Sequence, residues 1–97
     1  MEIAQLKAFL AAAERGSFVR AAQSLILTQP SLSARIQALE TELKVSLFHR
    51  MGRGVRRTDA GKTFLPYAQR ALETLDQGRA TLNAMEEATS GTLQVGT

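Results

Sequence analysis

The sequence predicts a mainly α-helical fold: three helices, a two-stranded β-hairpin, and then one long helix. Three observations predict it. Apolar residues recur at helical spacing in three successive stretches, with only a short turn between the second and third. A glycine-punctuated, cation-rich segment, His49-Arg50-Met51-Gly52-Arg53-Gly54, then separates two short apolar runs. Beyond it, apolar residues repeat every seven positions over the length of a long helix.

Ile3, Leu6, Phe9, Leu10 and Ala13 mark the first helix. Gly16 stops it, because glycine takes the left-handed conformation that helix ends often need. Ser17 offers an N-cap to a second helix, whose inner face is Phe18, Ala21, Ala22 and Leu25. Ile26 and Leu27 lead into the turn and are expected to plug the junction between helices. Thr28 is the next N-cap, followed by Gln29 and Pro30, and proline is tolerated where the first amides have no intrahelical partner. Leu32, Ile36, Leu39 and Leu43 then form a buried stripe. Helix, short turn, helix is the helix-turn-helix arrangement.

Opposite that stripe lie Pro30, Ala34, Gln37 and Thr41, flanked by Ser31, Ser33 and Ala38. Small side chains let a helix sink into a major groove, where Ser, Gln and Arg reach base edges. A plain solvent-exposed face remains the alternative, although such faces usually carry Lys and Glu. Leu47-Phe48 and Val55 read as strands flanking a wing-like tip. Its arginines suit phosphates or a minor groove. His49 has no partner at ligand spacing and reads as a packing or phosphate-side residue.

Thr58 and Asp59 cap the last helix, with Asp59 favourable at the positive end of the dipole. Phe64, Ala71, Gly78 and Met85 fall seven apart, as do Ala68, Leu75 and Leu82. A helix from Asp59 to Glu87 would be about 44 Å long. A second copy is expected to cover this seam; packing wholly within one monomer is the alternative. Pro66 inside the helix costs about 3 kcal/mol and Gly78 about 1 kcal/mol relative to alanine. The seam keeps its phase past Pro66, which predicts a bend rather than a break, and Gly78 marks a close helix crossing. Leu93 and Val95 alternate like the start of a strand. The expected division is a DNA-binding unit over 1–58, a dimerising helix over 59–88, and the entrance to a further domain over 89–97.

Ninety-seven residues with 44% hydrophobic content fit one small core. The chain has no cysteine, one histidine, no membrane-length apolar run and no signal peptide, so cofactor, metal and membrane are not expected and the cytoplasm is the default. The net charge of +3 is unevenly spread. Lys44, Arg50, Arg53, Arg56, Arg57 and Lys62 face only Asp59, whereas from Arg70 onward Glu73, Asp76, Glu86 and Glu87 outnumber Arg70 and Arg79. A polyanion surface and a solvated basic loop both fit that cluster.

The chain resembles the N-terminal region of LysR-type transcriptional regulators from about Ile3 to Thr97. The resemblance is carried by Leu6-Lys7-Ala8-Phe9, Ser17-Phe18 with Ala21-Ala22, and Thr28-Gln29-Pro30-Ser31-Leu32-Ser33. It continues through Ile36-Gln37-Ala38-Leu39-Glu40, Leu47-Phe48-His49-Arg50 and Thr58-Asp59-Ala60-Gly61. It implies a winged helix-turn-helix, a dimerising linker helix and a C-terminal effector-binding domain. That domain would open with a strand like Gly91-Thr92-Leu93-Gln94-Val95-Gly96 and would hold any small-molecule effector. Carried over by position, Gln29, Pro30, Ser31 and Ser33 would read bases, and Arg50 and Arg53 would hold the backbone. The exposed face and the basic wing add Gln37 to the expected base readers and Thr28, Arg35 and Arg56 to the backbone contacts, on a partly palindromic double-stranded site bound by a homodimer.

Three departures stand out. Ala34 replaces a common arginine, with Arg35 one step round the helix. Arg57 replaces a common apolar residue before Thr58 and would add a phosphate contact. Lys44 stands where a helix-ending glycine is usual, which asks a non-glycine residue to turn left-handed. An enzyme is disfavoured, since Ser31 and Ser33 have no base near them and no carboxylates cluster. A protein-interaction module leaves the basic wing and the small-faced third helix unexplained, and a steep loss of DNA affinity with salt separates the two.

Overall fold

The computed structural model describes residues 1–52 and 54–92, in the order α1 (Ile3–Arg15), α2 (Phe18–Ser24), α3 (Gln29–Leu43), β1 (Phe48–Met51), β2 (Gly54–Arg57) and α4 (Asp59–Thr92). The strands form an antiparallel hairpin that pairs Phe48 with Arg57, His49 with Arg56, Arg50 with Val55 and Met51 with Gly54. The expected hairpin tip is thus shorter than six residues, because His49, Arg50 and Met51 are already in β1.

Local chemistry sets each helix boundary. Glu2 and Gln5 form a capping box at the start of α1, and Gly16 ends that helix at φ 65° with its N–H bonded to the Ala12 carbonyl. The Ser17 hydroxyl accepts from the Arg20 amide and starts α2. The Thr28 hydroxyl does the same for Ser31 at the head of α3. Lys44 takes the left-handed conformation, φ 60°, as its position required, and the Val45 amide reaches back to Glu40. Thr58 caps α4 by accepting from the Gly61 amide at 3.0 Å. The helix then runs unbroken through Pro66 and Gly78 to Thr92, past the expected end at Glu87. The strand expected over Leu93–Val95 lies outside the described residues.

The turn between α2 and α3 departs from expectation. The Ile26 amide bonds to the Gln23 carbonyl and the Leu27 amide to the Ala22 carbonyl, the paired bonds that close a helix end with a left-handed residue. Ile26 supplies that residue at φ 56°, and its side chain is 93% exposed. It plugs nothing, whereas Leu25 and Leu27 on either side of it pack half-buried against the core. A β-branched side chain in this backbone region is strained by about 1–2 kcal/mol. Replacing Ile26 with glycine should therefore raise stability by about 1 kcal/mol, after allowing for glycine's greater unfolded-state entropy. Thermal melting should show a midpoint several degrees higher, about 4–8 °C per kcal/mol for a unit of this size. An unchanged or lower midpoint would show that the strain is relieved elsewhere.

The core lies where α1 crosses α2, α3 and the foot of α4. Phe9, Leu32, Ile36, Leu39 and Leu47 are completely enclosed, with Ala8, Ala12 and Ala21 allowing close helix approach. All four phenylalanines join one run of ring contacts, Phe64 to Phe9 to Phe48 to Phe18, at 5.5 Å between successive centroids. This run corrects the expected seam. Phe64 packs on Phe9 and Ala68 is 1% exposed, so the monomer's own core takes both. Leu72, which the seven-residue pattern passed over, also packs there. Ala71, Leu75, Gly78, Leu82 and Met85 remain exposed. Among the described residues no helix is long and apolar enough to cross a membrane.

Candidate nucleic-acid interface

Burying Leu32, Ile36 and Leu39 fixes the roll of α3 and so decides which side chains it shows to solvent. Gln29, Pro30, Ser31, Ala34 and Gln37 are exposed, while Ser33 and Arg35 are half-buried at the margins of that face. Gln37 lies nearly in line with Pro30, about two turns further along. The Thr28 hydroxyl accepts from the Ser31 amide and donates to the Ser31 hydroxyl at 2.9 Å, while the Thr28 carbonyl accepts the Leu32 amide.

The hairpin is tied to the helices through both of its strands. The Glu40 carboxylate, at the inner edge of α3, accepts the Leu47 amide at 2.7 Å and the Phe48 amide at 3.4 Å. This contact ties the end of α3 to the start of β1. On the other strand, the Val55 amide donates to the Gly16 carbonyl at 3.2 Å, at the junction of α1 and α2. Gly54 comes so close that a Cβ there would sit 2.7 Å from the Gly16 oxygen, so only glycine fits. Sequence patterning did not reveal the roles of Glu40 and Gly54. The signals were there, in an acid next to the buried stripe of α3 and a glycine beside a strand, but neither named its partner.

These attachments bring Gln29 and Arg50 to one hollow of about 400 Å³, together with Ser17, Val19, Gly52 and Gly54. The Arg50 guanidinium lies 4.8 Å from the Phe18 ring centroid, at the end of the aromatic run. That contact orients the fork without neutralising it, as a cation over an aromatic face does. Val19, a half-exposed apolar residue in the hollow, was not foreseen. Arg56 opposes His49 across the hairpin, so the two share one face of it. Arg53 lies outside the described residues. Among the described residues no ion pair involves Arg35, Arg50, Arg56 or Arg57, so their charge is available to a ligand. Nor does any group of three or more His, Asp or Glu there lie where a metal ion would be held.

Residues 3–62 match the model of the bacterial regulatory helix-turn-helix proteins of the lysR family. A transcriptional regulator from the ibpB–leuC intergenic region of Azotobacter vinelandii is 50% identical over 97 residues, all of this chain and 67% of that protein. The regulator TfdT of Cupriavidus pinatubonensis is 43% identical over 95 residues, 98% of this chain and 42% of TfdT. The chain thus spans about two thirds of one relative and less than half of the other. Among solved structures, the DNA-binding domain of CbnR in complex with DNA superimposes with a TM-score of 0.84 at 41% identity, over 89% of this chain and 99% of that one. The BenM DNA-binding domain on catB site 1 DNA gives 0.85 at 38% identity, over 89% and 97%.

Proposed function

As the chain belongs to the lysR family of bacterial helix-turn-helix regulators, we propose that it binds double-stranded DNA sequence-specifically as a homodimer, as the DNA-binding part of a transcriptional regulator. One observation carries this reading: the start of α3 and the wing open into a single hollow, shared by Gln29 and Arg50. A base-reading amide and an oriented cation on one side of the molecule suit a duplex, with α3 in the major groove and the wing over the neighbouring minor groove. Residues 1–58, on which the first turns of α4 pack, form the DNA-binding unit, and the exposed remainder of α4 supplies the dimer contact. The chain works in the cytoplasm, and control by a small molecule belongs to the additional length its relatives have.

Within this reading Gln29, Pro30, Ser31, Ser33 and Gln37 meet base edges. Thr28, Arg35, Arg50, Arg53 and Arg56 hold phosphates. Ala34 leaves room for close approach but removes a long donor, which places more of the discrimination on Gln29, since Gln pairs bidentately with adenine.

Selection of bound duplexes from a random pool tests the reading. Two half-sites in inverted orientation are expected, spaced by the dimer. Gln29→Ala should flatten the preference at one base pair in each half-site, with a discrimination loss of about 1–3 kcal/mol. Arg50→Ala should weaken all sequences alike. An unchanged base ranking in Gln29→Ala would remove Gln29 from the readers, and a pool that yields no enriched sequence would overturn the function itself.

A further inference from the structure

A second hollow, of about 550 Å³, lies on the other flank of the hairpin, between the end of α1, β2 and the first turn of α4. His49, Arg56, Arg57 and Lys62 line it, against the single carboxylate of Asp59. We propose that it seats the sugar-phosphate strand on the far side of the minor groove that the wing enters. The proposal rests on the reading above and extends the DNA footprint to residues that reading does not use, namely His49, Arg57 and Lys62.

The geometry argues for a strand of duplex. A loop that enters a minor groove about 6 Å wide is bounded by one backbone strand on each side. The hairpin likewise has a hollow on each side, and Val55 lines both, at the point where β2 attaches to Gly16. One hollow holds Arg50 beside the base-reading helix; the other is the place left for the opposite strand. Arg56 and His49 project from the same face of the hairpin, Arg57 follows at the end of β2, and Lys62 rises from the first turn of α4. Among the described residues no ion pair engages Arg56, Arg57 or Lys62. The positive end of a 34-residue helix adds to the field there. Asp59 opposes it, as the one acid facing four basic side chains.

Arg57→Gln and Lys62→Gln, singly and together, test this on the selected duplex. Both positions are exposed, and melting curves, with Arg57→Lys and Lys62→Arg as charge-retaining controls, separate lost contacts from lost folding. Each lost contact should flatten the slope of log affinity against log salt by about 0.9. The double variant should then shed about tenfold of the affinity that wild type loses over a fourfold rise in salt, with base ranking unchanged. In wild type, methylphosphonate replacement of phosphates beside the wing on the strand away from α3 should weaken binding. In the double variant the same replacements should cost nothing further. An unchanged salt slope in the double variant would overturn the proposal, as would an equal cost of phosphate neutralisation in both proteins. Tripolyphosphate binding that the double variant loses while keeping full duplex affinity would also overturn it, by assigning the hollow to a free anion. Failure of the wild-type chain to bind any duplex would instead reject the function proposed above.

Discussion

Replacing Leu75 and Leu82 together by aspartate is expected to leave the N-terminal unit folded while lowering affinity for a two-half-site duplex by a factor on the order of 100. The physical case begins with exposure. Leu75, Leu82 and Met85 are 49%, 66% and 61% exposed, and no core contact of residues 1–58 depends on them. Removing a leucine side chain from water stabilises by about 1.5–3 kcal/mol, so a twofold interface burying four of them gains several kcal/mol from these positions alone. Gly78, between the two leucines, has open space around it, which lets a second helix approach closely. Aspartate would put four charges into that seam, and burying them unpaired costs more than the leucines contributed.

The effect on DNA follows from linkage rather than from any lost DNA contact. In a dimer, binding of one half-site holds the second recognition helix near the other, at an effective concentration in the millimolar range. A monomer gains nothing from the second half-site. Affinity for an isolated half-site should therefore be equal in wild type and variant, and only the full site should separate them. The exposed half of α4 should also lose helicity in the variant, because a helix without tertiary packing is marginal in water. Sedimentation equilibrium and titration of full and half sites are the measurements. A variant that stays dimeric, or keeps its full-site affinity as a monomer, would take the interface away from this face of α4.

How much of this was legible in the sequence depends on whether the deciding interaction is local. Gly16, Ser17, Thr28 and Thr58 cap helices through bonds to residues three or four away, and each could be read from its neighbours. The left-handed turn at Lys44 was legible only through the resemblance, which puts a helix-ending glycine at that position. Ile26 was misread because hydrophobicity says that a residue prefers burial, not that the backbone will let it point inward; two hydrogen bonds closing α2 decided otherwise. The start of the seam failed differently. A seven-residue repeat shows that one face of a helix is covered but not by what, and Phe9 reaches Phe64 before a second copy can. Around the interface, the face of α3 followed from periodicity. The wing's placement did not, because it depends on Glu40 holding β1 and Gly16 holding β2, both contacts between distant parts of the chain.

Gly61→Ala gives the largest expected effect on folding, with a sign opposite to helix propensity. In a helix, alanine is favoured over glycine by about 1 kcal/mol. Gly61, however, is buried in the first turn of α4 against the Leu47 carbonyl, and a Cβ there would overlap that oxygen and come within 3.2 Å of its carbon. The obstacle is backbone that is already committed. The Leu47 oxygen accepts the Thr58 amide at 3.0 Å, its nitrogen donates to Glu40, and its side chain is fully enclosed. The Thr58 hydroxyl also bonds to the Ser46 carbonyl at 2.6 Å, so α4 cannot back away without losing its cap contacts. Forcing a methyl group into such a site costs about 3 kcal/mol, which exceeds the propensity gain. The melting midpoint should fall by roughly 10 °C. Gly78→Ala in the same helix, where nothing lies within 4 Å, supplies the opposite case and should add helicity to α4 in the Leu75→Asp, Leu82→Asp monomer. If Gly61→Ala melts at or above the wild-type temperature, α4 is not seated on Leu47. The fixed angle between helix and wing, on which the spacing of two half-sites depends, then loses its anchor.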